Sequence, residues 1–356
     1  MTLDADLEQR LSDWVRTQVP DADGVRLEGI DRVSFGHSAE MMTLSVVTRR
    51  AGRQDVVLRL RPKPPALLEP YDLARQFDIL RALADTPVRV PRALWLEPTG
   101  EVLGRPFFVM ERVAGDVYEM EPPAGADDDT VVRMCQSLVE QLAAIHTVDL
   151  TGTGLDALDD GANHLDRELG HWAAEMNRVK RDRLPALERL HRALLAGKPE
   201  PYPRITLVHG DAKPGNFAFT AGEVSAVFDW EMTTVGDPLT DIGWLEMLWM
   251  QPVGINSHPA ALSIDALLAH YESTSGIKVA NRSWYRAFNA YKMAVICLIG
   301  AMLVEDGHSD DQKLVLAAYG TGLLTKAGLT DLGIDEPLDD GPVLPRDERI
   351  QQVLAG

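Results

Sequence analysis

Cysteine is nearly absent. Cys135 and Cys297 are the two in 356 residues, and both fall in apolar helical patterns. Two distant thiols in such settings argue against a disulfide framework and are expected to be buried and free. Basic residues are also few, with 35 Lys and Arg against 54 Asp and Glu and a formal net charge of −19. That balance argues against nucleic acid, which needs clustered cations, and is compatible with a cationic small molecule. Long apolar runs are missing too. The longest, near residues 293–304, falls short of a bilayer and ends on charges. No apolar segment of the signal-peptide kind follows Met1. The expectation is a cytoplasmic protein with no membrane or nucleic-acid partner. A hydrophobic content of 45% is ordinary for a globular chain, and this length supports one large domain or two lobes.

What is present concentrates in residues 205–241. An apolar run at 205–208 leads into a polar loop carrying His209, Asp211, Lys213 and Asn216. A second run at 217–219 follows, then a turn at 221–223, then a third run at 224–228 that ends on Asp229. The pattern predicts strand, loop, strand, turn, strand. It presents Asp211, Asn216 and Asp229 from loop ends, where strands can hold them near one another. The spacing suits phosphoryl transfer. Kinases place an Asp, then four residues and an Asn, with a later Asp from another loop. The first Asp orients the attacking hydroxyl, and the Asn and later Asp supply oxygen ligands to Mg²⁺.

His209-Gly210-Asp211, with Asn216, Asp229 and the run Gly236-Asp237-Pro238-Leu239-Thr240-Asp241, resembles the aminoglycoside phosphotransferase family of the protein-kinase-like superfamily. The resemblance extends from about Leu27 to about Gly320. It implies an α+β, bilobal kinase-like fold, with a small antiparallel N-terminal sheet lobe and a large helical C-terminal lobe. It implies an enzyme that moves the γ-phosphate of ATP, with GTP left open, to a hydroxyl of a small molecule in the presence of Mg²⁺. Residues 1–112 are then the nucleotide-binding lobe, with an extra helix at 3–18. Residues 113–356 carry the catalytic loop and acceptor site, the boundary falling in the Gly- and Pro-rich stretch 113–126.

By the same resemblance Asp211 is the base, and Asn216 and Asp229 are the metal ligands. Gly36, His37 and Ser38 cover the nucleotide from the loop between the first two strands. Arg59 stands where kinases have a Lys on the phosphates, and its fixed charge keeps that role. Met110 gates the base pocket, while the Glu111 carbonyl and the Val113 N–H face the purine. Lys213 resembles the lysine of protein-kinase catalytic loops that reaches the γ-phosphate. Three positions depart from the family or vary within it, Arg59 being the first. Gln76 replaces the helix Glu that pairs with the strand cation, leaving only an amide to orient Arg59. Asp229 is followed by Trp230-Glu231, where Glu231 either joins the metal site or is a solvated loop residue. His209 and Asp241 are expected to brace the loop. The Pro-rich strand end Leu60-Arg61-Pro62-Lys63-Pro64-Pro65 resembles the branch fused to acyl-CoA dehydrogenases. Two other readings stand beside the kinase: a nucleotide-binding module without catalysis, and a metal-dependent hydrolase built on His209, Asp211 and Asp229.

Overall fold

A computed structural model describes residues 5–20, 24–33, 40–159, 161, 163–335 and 346–355. The chain forms two compact units. One comprises Met1–Val117 with Phe217–Glu231, and the other Tyr118–Asn216 with Met232–Gly356. The chain therefore passes between units after Val117, Asn216 and Glu231.

The first unit opens with α1 (Ala5–Gln18), which buries Leu11 and Val15. Strands β1 (Arg26–Val33), β2 (Glu40–Thr48) and β3 (Gly52–Leu60) follow, then α2 (Leu73–Leu83), β4 (Ala93–Glu97) and β5 (Phe107–Glu111). All strand pairs are antiparallel, in the order β1-β2-β3-β5-β4. Period-2 alternation sends Val56, Leu58 and Leu60 of β3 into a core with Leu11, Val15, Met42, Leu44, Val46, Phe107 and Val109. Trp14 of α1 closes this core edge-on against Phe107, at 4.8 Å between ring centroids. The same alternation turns Arg59 to the other sheet face, where it is also buried. Helix α2 starts where the Asp72 side chain accepts the Arg75 N–H.

After β6 (Asp116–Val117) the second unit begins, with α3 (Asp128–Thr147), α4 (His164–Val179), α5 (Pro185–Ala196) and β7 (Thr206–Val208). Asp127 and Asn163 cap α3 and α4 with side-chain oxygens. Strands β8 (Phe217–Thr220) and β9 (Glu223–Val227) return to the first unit and pair with β6 in the order β6-β8-β9. Their turn places Ala221 and Gly222 at φ 50° and 81°; positive φ at both positions matches the twist of a tight hairpin. The three runs around the loop therefore do not form one meander. β7 pairs instead with β10 (Thr234–Gly236), a strand the apolar pattern does not reveal.

The remainder is helical: α6 (Leu239–Trp249), α7 (Ile264–Ser275), α8 (Arg282–Glu305), α9 (Gln312–Asp331) and α10 (Asp347–Ala355). Helix α8 corrects the apolar-run expectation. Its 24 residues are long and apolar enough by composition to cross a membrane, yet 83% of its most apolar window is buried within the protein. Its aromatic stripe of Trp284, Tyr285, Phe288 and Tyr291 is core, as the spacing predicts. Cys135 and Cys297 are buried and free.

Helices α6 and α8 pack closely through Gly243, where a Cβ would stand 2.6 Å from the Tyr285 Cβ and 2.7 Å from its carbonyl oxygen. Backbone cannot yield as a flexible side chain can. Gly243→Ala is expected to cost about 1–3 kcal/mol, seen as a lower urea midpoint at unchanged m-value. Gly328→Ala meets mainly the end of the Leu190 side chain and is expected to lose less. Equal midpoints for both variants and the wild type would contradict the packing account.

Candidate functional site

The loop after β7 turns sharply because Gly210 adopts φ +85°, and a Cβ there would lie 2.2 Å from the Met232 carbonyl oxygen. The turn takes the His209 and Gly210 N–H groups out of the strand ladder. Asp241, in the first turn of α6, accepts both, at 2.7 Å on Oδ2 and 2.8 Å on Oδ1. His209 is fully buried, and its Nδ1 accepts the Asp211 N–H at 3.2 Å. Both residues thus brace the loop as expected.

Asp241 has a further partner. His146 Nε2 lies 3.0 Å from Oδ2, and His146 Nδ1 lies 2.6 Å from the Tyr271 hydroxyl. A carboxylate only accepts, so Nε2 carries a hydrogen toward Asp241 and Nδ1 receives the Tyr271 O–H. Burial alone would raise the Asp241 pKa. The His146 hydrogen bond, the nearby His146 and His209 and the Gly210 N–H outweigh it and hold the carboxyl below its usual value of 3.8.

Lys292 on α8 completes the brace, donating to the Gly210 carbonyl at 2.7 Å. It is buried, with Nζ 4.8 Å from the Trp244 ring centroid and 5.7 Å from that of Trp172. Burial pulls its pKa down, against the opposing charges of Glu168, Asp241 and Asp211. The motif did not reveal this residue. Its signal in the sequence is a lone cation inside the apolar stretch 287–304, since such a group needs buried partners.

At the loop's end, a short 3-10 turn (Pro214–Asn216) brings Asn216 back to Asp211. Asn216 Nδ2 donates to the Asp211 carbonyl at 2.8 Å and to its Oδ2 at 2.9 Å. Its nitrogen is thus committed to Asp211. Lys213 Nζ lies 3.3 Å from Glu119 Oε1. Asp211, Lys213 and Asn216 therefore share one braced loop in the second unit.

The first unit holds the other predicted residues. Arg59 Nε donates to the Tyr71 hydroxyl at 3.1 Å, and Nη2 reaches Asp229 Oδ1 at 2.7 Å and Glu231 Oε2 at 3.0 Å. Burial works against the Arg59 charge, but Asp229, Tyr71 and Glu231 more than restore it. Burial likewise pushes the Tyr71 phenol up to about 12, so it remains an O–H. Two expectations are corrected here. Gln76 is hydrogen-bonded to Tyr71 and is not itself one of these Arg59 partners. Glu231 is no solvated loop residue, its side chain being 8% exposed and paired with Arg59. Asp229 sits at φ 65°, left-handed for a non-glycine residue, a conformation that aspartate tolerates better than most.

Met110 is buried on β5 opposite Val57. Glu111 ends that strand, exposed, with its N–H on the Arg92 carbonyl at 2.9 Å. Val113 is half-buried just beyond. Gly36, His37 and Ser38 lie outside the described residues. Among the described residues no group of three or more His, Cys, Asp or Glu is placed to hold a metal ion. Mg²⁺ asks for few protein oxygens and takes the rest from water and phosphate.

Comparison with known proteins places the chain in a family. Residues 40–287 match the model of the phosphotransferase enzyme family, APH. Among curated proteins, acyl-CoA dehydrogenase family member 10 of Mus musculus is 29% identical over 75% of this chain and 26% of its own length. Family member 11 of Rattus norvegicus is 28% identical over 74% of this chain and 36% of its own. The chain thus spans about a quarter to a third of those relatives. Among solved structures, a candidate aminoglycoside phosphotransferase of Ralstonia eutropha superposes with a TM-score of 0.75 at 24% identity, covering 92% of this chain and 99% of that one. Aminoglycoside phosphotransferase APH(4)-Ia, in a ternary complex with ADP and hygromycin B, gives 0.58 at 15%, covering 87% and 95%. These likenesses show the expected kinase-like α+β fold.

Replacing Asp241 by Asn sets an amide against N–H donors, so Asp241→Asn is expected to lose roughly 3–5 kcal/mol of stability at neutral pH. Because the folded-state pKa is depressed, the carboxylate's contribution is present above 3.8 and lost as pH falls through the folded value. Urea unfolding at a series of pH values should therefore show wild type and variant converging on acidification. A gap that stays constant or widens would contradict the role given to this carboxylate. Lys292→Met should destabilise as well, since it leaves the Gly210 carbonyl buried without its donor, at a cost of about 1–3 kcal/mol.

Proposed function

Because this chain belongs to the phosphotransferase enzyme family, we propose that it transfers the γ-phosphate of ATP, with Mg²⁺, to a hydroxyl of a small molecule. The observation that carries this reading is the braced loop, in which Asn216 grips both the carbonyl and the carboxylate of Asp211. A base in phosphoryl transfer needs position more than basicity, because the transition state is loose and the hydroxyl proton leaves late. The Asn216 bond holds one Asp211 oxygen and thereby orients the other toward an acceptor. Lys213 supplies positive charge beside that acceptor; its contact with the half-exposed Glu119 is open to exchange.

The donor set fits the metal that the fold implies. Asn216 and Asp229 offer hard oxygens and little else, which suits Mg²⁺ and does not suit zinc. When bound, the magnesium nucleotide supplies the phosphoryl group and part of the charge neutralisation. The chain's own share is to hold the nucleotide through Arg59, the backbone at Glu111 and Val113, Met110, and the loop with Gly36, His37 and Ser38. In this reading residues 1–112 take the nucleotide and residues 113–356 the acceptor. A nucleotide-binding module without catalysis is the second reading, favoured by the pairing of Asp229 with Arg59.

The test is ADP release from ATP and Mg²⁺ across a library of small hydroxylated metabolites. The proposal expects acceptor-dependent release, with kcat falling about 10²–10⁴-fold in Asp211→Ala and about 10²-fold in Lys213→Ala. Nucleotide binding with no release to any acceptor would select the second reading. Full turnover in Lys213→Ala would remove the role given to that lysine.

A further inference from the structure

Arg59 is a buried cation with two carboxylates, Asp229 and Glu231, on the same nitrogen. One guanidinium balances one carboxylate, so within this trio the carboxylates outnumber the cation. The two partners differ. The Glu231 side chain is 8% exposed, whereas that of Asp229 is 22% exposed and its backbone is left-handed. From helix α2 the residue bonded to Tyr71 is Gln76, an uncharged amide. We propose that Glu231 is a positioning residue, the resident counter-ion of Arg59, and that it frees Asp229 to turn from Arg59 to a cation. The loop after β9 would thus supply the charge that Gln76 lacks.

The physical reason is competition. A buried guanidinium left without a partner is strongly unfavourable. Without Glu231, Arg59 would hold Asp229 and oppose any metal seeking it. With Glu231 in place, Asp229 can leave while Arg59 stays neutralised and aligned by Tyr71. The cation part of this inference rests on the phosphotransferase reading; the Arg59–Glu231 pair does not.

The test uses Glu231→Gln, Arg59→Met and the double variant. In ligand-free protein, Glu231→Gln should lower Tm, on the order of 5 °C, and Arg59→Met should lower it more. The double variant should recover above Arg59→Met, because it removes the orphaned charge. Additive losses would overturn the pair. Next, Mg²⁺ is titrated at saturating ADP and followed by thermal shift. Glu231→Gln should raise the half-saturating Mg²⁺ about tenfold (1.4 kcal/mol at RT ln 10). Because Arg59 also holds the nucleotide, Arg59→Met sets the baseline, and the double variant should match it, since no arginine then competes for Asp229. A half-saturation higher in the double variant than in Arg59→Met would make Glu231 a metal ligand and overturn the counter-ion role; an unmoved one in Glu231→Gln would reduce it to a structural part and overturn it equally. If wild type shows no Mg–ADP shift, the phosphotransferase reading fails and with it the release of Asp229, while the ligand-free cycle still decides the pair.

Discussion

The Asp241 carboxylate takes two consecutive backbone N–H groups, those of His209 and Gly210, inside the second unit. A buried N–H without a partner is costly, and the turn at Gly210 removes these two from the β7 ladder. Asp241 can serve them because it stands in the first turn of α6, where the helix dipole favours negative charge. His146, itself tied to Tyr271, fixes the carboxylate from the other side. The position of Asp211 follows from this bond, since its own N–H rests on the His209 ring. Lys292 then anchors the carbonyl side of Gly210, so the peptide entering Asp211 is held at both ends.

The two units bury charge in different ways. The second surrounds one carboxylate with neutral or singly charged donors and places a lysine between tryptophan rings. The first buries an arginine and gives it two carboxylates, one of them on a residue with unusual backbone geometry. Both arrangements pair their buried charges with partners from the chain itself, which matters for a reaction in which the protein mostly positions groups and neutralises charge. Tyr71 links the arginine to α2 without a charge, which explains how Gln76 is accommodated at a position where family members carry an acid.

Much of this was legible in the residues. The spacing of Asp211, Asn216 and Asp229 and the run ending on Asp241 carried the family resemblance that implied the observed fold. Helices α3 and α7 begin where the Asp127 and Ser263 side chains cap them. Strand pairing was not legible. β6 has two residues and β10 three, too short for any alternation to stand out, and their partners are distant in sequence. Nor was the fate of Glu231, since one acidic residue after a turn looks alike whether solvated or paired with an arginine 172 positions away. Lys292 lay in plain view as a cation in an apolar helix, but only the fold shows which carbonyl it serves.

The central proposal is that Asn216 and Asp229 each offer an oxygen to a metal-bound nucleotide. The most direct measurement is electron paramagnetic resonance of Mn²⁺, standing in for Mg²⁺, titrated into the protein with and without ADP. The account predicts tight Mn²⁺ binding only when ADP is present, weakened at least about tenfold in Asn216→Ala and in Asp229→Ala, a loss of about 1.4 kcal/mol or more. Binding that ignores ADP, or that both variants leave untouched, would contradict it.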